Sequence, residues 1–185
     1  MGSILPCFKA YDVRGRVPDE LDEDLSYRIG RAYAQVVRPR RVVVGRDIRL
    51  SSEALATALS RGLTAGGADV LDIGRCGTEM VYFATFHLGV DGGIMVTASH
   101  NPRDYNGMKL VRDKARPISG DTGLGDIESL AAAAKFEAGG GTGKVVPTDI
   151  LEAYVKHLLG YVDPTRMRPL KVVTDPGHGG AGPIV

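Results

Sequence analysis

The stretch RRVVVGRDIRLSSEALATALSRGLTAGGADVLDIG, residues 40–74, decides the fold. Val42 to Val44 form an unbroken apolar run stopped by Gly45, as in a strand buried on both faces of a parallel sheet. A helix follows at once. Leu55, Leu59 and Leu63 recur at i, i+4 and i+8, Ser51 or Ser52 can cap its start, and Gly66-Gly67 ends it. DVLDIG, 69–74, then reads as a second strand, so the stretch is a βαβ unit with a right-handed crossover.

The pattern continues on both sides. Downstream, TEMVYFATFHLG (78–89) reads as a helix and GGIMVTA (92–98) as a third strand; upstream, LDEDLSYRIGRAYAQVV (21–37) puts Leu21, Leu25, Ile29, Tyr33 and Val36 on one helical face, with acidic residues in the first turn. GMKLVR (107–112) is one more strand. It is reached through only the loop at 99–106, too short for a parallel crossover, so it runs antiparallel to its predecessor. The expected class is α/β, with a mixed, mostly parallel sheet sandwiched by helices.

Farther on, SLAAAAKFEAGGGTGK (129–144) passes from a helix former into a glycine-rich, flexible connection, which sets a domain boundary near 139–150. We read residues 1–147 as a first domain and 148–185 as the start of a second. DILEAYVKHLLGYV (149–162) has Asp149 as a cap and Ile150, Tyr154, Leu158 and Tyr161 on one stripe; LKVVTDPGHGGAGPIV (170–185) begins a strand and a glycine turn. One strand cannot bury its faces, so the second domain is incomplete.

Charge excludes several function classes. Lys+Arg 23 against Asp+Glu 22 gives +1, so no net field favours nucleic acid or an anionic membrane. Cys7 and Cys76 fit no metal or disulfide spacing, which suits a reducing compartment. No apolar run approaches the roughly 20 residues of a membrane span, the start MGSILPCFKAYDVRG lacks the regions of a signal peptide, and Gly2-Ser3 is too little for a myristoylation site. A soluble, cytoplasmic protein is expected.

Chemistry concentrates in VTASHNPRDYNGMKLV, 96–111, where Ser99, His100 and Asn101 form a polar turn capped by Pro102 and closed by Asn106-Gly107. A hydroxyl held between two strands is either a plain turn residue or a positioned nucleophile or phosphate acceptor. A serine hydrolase would want G-x-S-x-G and distant His and Asp partners, and neither stands out. Gly177 to Gly182, GHGGAG, fits the dinucleotide fingerprint by letter, yet a nucleotide-binding module needs a helix there and an acidic residue about 20 positions on.

Four blocks taken together, AYDVRG (10–15), VGRDIRLSS (44–52), VTASHNPRDYNGMKLV (96–111) and KVVTDPGHGGAG (171–182), resemble the α-D-phosphohexomutases, the phosphomannomutase/phosphoglucomutase enzymes. The resemblance spans nearly the whole chain in order, and T-A-S-H-N-P with N-G-x-K-L is its most specific piece. Gly77-Thr78-Glu79 departs from it, most relatives having proline after the threonine, as do Pro176 and His178 where Ala-Gly-Asn is more usual. That family has four domains around a cleft, so the resemblance implies domain 1 plus the beginning of domain 2, with the remaining domains of the same enzyme as partners.

The resemblance further implies a phosphoserine at Ser99 that exchanges a phosphoryl group with glucose or mannose phosphates through a hexose 1,6-bisphosphate. Phosphoryl transfer is mostly positioning and charge neutralisation, and a carrier serine splits one migration into two in-line steps. Arg14 would offer a guanidinium fork to phosphate, Lys109 would neutralise charge or pass a proton, and Asn101 would help hold the phosphate. His100, adjacent in sequence, either touches the phosphate or a sugar hydroxyl or is a structural loop residue. Arg46, Asp47 and Arg49 read as scaffold, and His87 and His157 as ordinary helix residues. The family binds Mg²⁺ through the serine phosphate and an Asp-rich loop of domain 2; that loop is missing from this sequence, so Ser99 is the one metal-side residue here and the chain alone is expected to catalyse nothing.

Overall fold

A computed structural model describes residues 5–137 and 141–182. Gly2-Ser3, Gly139-Gly140 of the glycine-rich connection and the last three residues lie outside the described residues. In chain order come β1 (Val13–Arg16), α1 (Glu23–Val37), β2 (Arg41–Arg46), α2 (Ser52–Ala65), β3 (Asp69–Arg75), α3 (Thr78–His87), β4 (Gly92–Val96), β5 (Tyr105–Arg112), α4 (Leu124–Ala133), β6 (Val145–Pro147) and α5 (Leu151–Leu159). They build one six-stranded sheet ordered β1-β5-β4-β2-β3-β6. β4, β2, β3 and β6 are parallel; β5 runs antiparallel to β4 and to β1. The mixed, mostly parallel α/β sheet expected from the sequence is the one observed.

The central strands are apolar on both faces because helices cover both. Val42 and Val44 of β2 and Ile94 and Val96 of β4 enter one core with Leu25, Ile29 and Tyr33 of α1 and Leu55, Leu59 and Leu63 of α2. Val43 and Met95, one residue out of phase, face the other way and meet Met80, Val81 and Phe83 of α3, Tyr154 of α5 and Ile150 just before it. This alternation is the two-residue period of a strand read on two covered faces. α1 starts on Asp22, whose carboxylate accepts from the Leu25 amide at 2.7 Å. α1 and α2 meet backbone to backbone: a Cβ on Gly30 would lie 2.3 Å from the Leu59 carbonyl and one on Gly62 2.1 Å from that of Tyr27. Burial pushes the Cys7 thiol up to about 11 and the Cys76 thiol up to about 12, so both behave as inert apolar side chains.

Several expectations are corrected. Asn106-Gly107 is not a turn: both lie in β5, opposite Gly15 and Arg14 of β1. The buried Asn106 amide donates to the Ser51 and Ser52 hydroxyls at 2.8 and 2.9 Å, which holds a turn-prone residue in a strand. The same bonds take Ser51 away from capping, and α2 starts without a side-chain cap. The helix end expected within 129–144 is kept: α4 stops at Ala133, with Ala134 left-handed as its cap. LKVVT forms no strand; Val172 and Val173 stay exposed because no neighbouring strand pairs with them. On α5, Ile150 and Tyr154 of the expected stripe are buried whereas Leu158 and Tyr161 are exposed. β1 and β6 have no counterpart in the sequence reading.

Candidate functional site

Parallel strands place sites beyond their carboxyl ends, and β4 ends that way: Thr97 and Ala98 are still buried, then Ser99 and His100 come to the surface. Ser99 sits at φ +54°, a left-handed conformation that a residue with a Cβ adopts only when its surroundings hold it there. Those surroundings come from the end of β2. Arg49 donates through Nη2 to the carbonyls of Ser99 at 3.0 Å and Asn101 at 2.6 Å. Through Nη1 it donates to those of Pro102 at 2.7 Å and Tyr105 at 3.0 Å. The Ser99 amide donates to Thr97 Oγ1 at 2.9 Å, and that hydroxyl donates to Asp47 Oδ2 at 2.7 Å. Asp47 closes the arrangement, its Oδ2 lying 3.4 Å from Arg49 Nε while its Oδ1 accepts from the Arg49 amide and the Ser52 hydroxyl. Both backbone groups of Ser99 are therefore fixed, while its hydroxyl has no hydrogen bond among the described residues.

Two cations lie on the neighbouring strands. The β1/β5 register sets Arg14 opposite Gly107, and the Thr97 amide donates to the Gly107 carbonyl at 2.9 Å, so Thr97, Gly107 and Arg14 form a row across the sheet. Lys109 is one same-face step away along β5, opposite Met95. Val13, Met108 and Leu110 point into the α1/α2 core, which turns Arg14 and Lys109 to the α3 side. There they share one carboxylate: Arg14 Nη2 is 2.7 Å and Lys109 Nζ 3.6 Å from Asp12 Oδ2. Two positive charges against one negative leave this corner able to attract an anion. Burial, and then the Asp12 charge, raise the phenol of Tyr82 on α3, which borders the same corner.

Ser99, Arg14 and Lys109 thus come to one end of the sheet. Asn101 joins them, with Nδ2 donating to the Ala98 carbonyl at 2.9 Å; one amide hydrogen and its Oδ1 remain. His100 is exposed and makes no hydrogen bond among the described residues. Arg46 is scaffold, as expected, joining Glu53 of α2 at 2.6 Å and Asp72 of β3 at 3.0 Å. His87 and His157 flank the Phe83 ring, each 4.8 Å from its centroid, in the α3/α5 layer. Sequence reasoning missed Asp12 and Thr97. Asp12 stands two residues before Arg14, just ahead of β1, and nothing local signalled either residue.

No group of three or more His, Cys, Asp or Glu able to hold a metal ion is found among the described residues. Mg²⁺ wants about six oxygens in near-octahedral geometry, and Asp47 and Asp12 are already engaged, Asp47 on Arg49, Thr97 and Ser52, Asp12 on Arg14 and Lys109. The donor set does not fit a resident Mg²⁺. The Gly177–Gly182 turn is exposed and held locally, with Asp175 Oδ1 accepting from the Gly177 amide at 2.8 Å; no helix opens after it among the described residues.

Comparison with known proteins agrees with this fold. Residues 6–138 match the model for phosphoglucomutase/phosphomannomutase, alpha/beta/alpha domain I. The chain is 58% identical over 185 residues to a phosphomannomutase of Salmonella typhimurium, covering 98% of this chain and 40% of the relative. It is 59% identical over 181 residues to a protein of Xanthomonas campestris named phosphohexose mutases, again covering 98% and 40%. A crystal structure of a phosphoglucomutase/phosphomannomutase family protein from Burkholderia thailandensis superposes with a TM-score of 0.84 at 41% identity, over 96% of this chain and 40% of that one. The chain spans about 40% of the length of the curated relatives it matches. The α/β/α frame described above is thus shared with these proteins, and the chain belongs to the phosphoglucomutase/phosphomannomutase family.

Proposed function

We propose that this chain carries the phosphoryl-transferring serine of a phosphohexomutase that interconverts hexose 1-phosphate and hexose 6-phosphate, with glucose, mannose or both as the sugar. The observation that supports this most is the Ser99 hydroxyl, without a hydrogen bond among the described residues on a backbone tied at both ends, at the end of the sheet where two cations share one carboxylate.

In the resting enzyme Ser99 Oγ bears a phosphoryl group. The free hydroxyl of a bound hexose monophosphate attacks phosphorus in line; the sugar O–P bond forms, the Ser99 O–P bond breaks, the sugar oxygen gives up its proton and Ser99 Oγ takes one. The hexose 1,6-bisphosphate then turns over in the cleft and returns the other phosphoryl group to Ser99 by the same step reversed. Arg14 offers two parallel N–H donors to the transferring group. Lys109 neutralises charge and, near phosphate, passes the proton between the two oxygens. Asn101 supplies its remaining amide hydrogen to the phosphate, and the exposed His100 reaches the sugar hydroxyl. Among these residues only a phosphate on Ser99 would offer oxygens to Mg²⁺, and each step above is carried by the chain's own side chains.

On this reading residues 1–147 are the phosphoserine-bearing domain and 148–185 lead into a second, the sugar and its distal phosphate are gripped by further domains, and the 185-residue chain alone is inactive. The setting is the cytoplasm, in keeping with two unpaired thiols. The test is a coupled assay of the whole gene product on glucose 1-phosphate and mannose 1-phosphate, primed with the matching bisphosphate. Interconversion lost in Ser99→Ala supports the reading; ester hydrolysis at Ser99 without interconversion refutes it.

A further inference from the structure

We propose that Arg49 is a positioning residue for the transfer at Ser99: it sets the backbone of the phosphoryl carrier and does not itself bind phosphate. The proposal rests on the phosphoserine reading above.

The reasoning starts from donor counting. A guanidinium has five N–H donors in a fixed plane and no acceptor. In Arg49 four are spent on the carbonyls of Ser99, Asn101, Pro102 and Tyr105, at 3.0, 2.6, 2.7 and 3.0 Å. The fifth, on Nε, faces Asp47 Oδ2 at 3.4 Å. No donor is left for an incoming phosphate, and the side chain is only 15% exposed. Arg14 differs in this respect: one Nη is engaged by Asp12, and it is 28% exposed.

The bonds also form a closed circuit. From the Ser99 amide it runs to Thr97 Oγ1, on to Asp47 Oδ2, across to Arg49 and back to the Ser99 carbonyl. The two peptide planes flanking the Ser99 Cα are thus tied to one half-buried ion pair, and these planes define φ and ψ at that residue. A left-handed serine would otherwise relax towards the ordinary regions, which would swing Cβ and Oγ away from their present direction. Misplacement of a reacting group by about 1 Å can cost on the order of 100-fold in rate. Lysine cannot replace this arginine, since three donors on a tetrahedral head cannot serve four coplanar carbonyls.

The experiment uses the whole gene product and five variants: Arg49→Ala, Arg49→Lys, Thr97→Val, the double variant Arg49→Ala/Thr97→Val, and Ser99→Ala. Phosphorylation of Ser99 by hexose 1,6-bisphosphate and steady-state interconversion are measured, together with tryptic cleavage after the exposed Arg103 in the same loop. The expected results are a fall in kcat of about 100-fold in both Arg49 variants with KM unchanged, partial recovery of Arg49→Ala by free guanidinium but not by methylammonium, and faster cleavage after Arg103. Thr97→Val acts through the same circuit, so its effect and that of Arg49→Ala combine to less than their product. A raised KM at unchanged kcat would make Arg49 a substrate ligand and overturn the proposal. So would wild-type phosphorylation of Ser99 in Arg49→Ala. A lowered melting midpoint with unchanged cleavage after Arg103 and no guanidinium recovery would reduce Arg49 to general scaffold and also overturn it. Ser99→Ala separates the two levels: full activity there refutes the phosphoserine reading itself, whatever Arg49 does.

Discussion

Two polar turns in this molecule follow apolar runs and look alike as strings, Ser99 to Tyr105 after IMVTA and Gly177 to Gly182 after KVVT. The first is strapped by partners some fifty residues away, four of its carbonyls ending on Arg49. The second is held by its own neighbours, Asp175 to Gly177 and Pro176 to Gly179, and lies exposed. The difference shows what turns a loop into a site. Polar residues at a strand end are common; a site appears when buried side chains from other elements fix the backbone and leave one functional group unspent.

The contrast can be broken by substitution. The largest effect is expected on catalysis: Arg14→Ala or Lys109→Ala in the whole gene product should lower kcat by roughly 10²–10³-fold, in the range seen when one preorganised charge-stabilising donor is removed. Steady-state kinetics check this, and a change under tenfold would detach these cations from the transfer. Next comes stability under the first turn. A Cβ on Gly107 would stand 2.1 Å from the Val13 carbonyl, backbone against backbone, so Gly107→Ala should cost about 3 kcal/mol or more by urea titration. Smaller, Asp47→Asn keeps the shape but gives an amide where Thr97, Ser52 and Arg49 all donate, with an expected loss of about 1–3 kcal/mol. Smallest of all, Gly177→Ala strains a residue at φ +59° in a segment that buries nothing, so the unfolding free energy of the core should stay within about 0.5 kcal/mol of the parent by urea titration. A clear loss there would mean the second turn is coupled to the fold after all.

What could be read from the sequence follows the range of the forces involved. α1, β2, α2, β3, α3 and β4 are legible because each carries an apolar period long enough to identify it, and the antiparallel sense of β5 follows from a loop too short for a crossover. β1 and β6 are four and three residues long, with charges or proline among them. Pairing with β5 and β3 makes them strands, and pairing is not written locally. LKVVT is the converse, a strand-like string without a neighbour. At the site, Ser99, Arg14 and Lys109 could be picked out through family resemblance. The capture of four carbonyls by Arg49 could not, because its bonds span 50 to 56 residues and depend on β2 and β4 lying side by side. Asn106-Gly107 misled for the same reason: its turn chemistry is overridden by a buried amide bonded to two distant serines.

The central claim, that Ser99 is the phosphoryl carrier, is tested most directly by mixing the whole gene product with hexose 1,6-bisphosphate, quenching at intervals and locating phosphate by peptide mass spectrometry. One phosphoryl group on the peptide that contains Ser99, formed and discharged at least as fast as turnover, is the expected result; turnover with that peptide unmodified at every interval would contradict it.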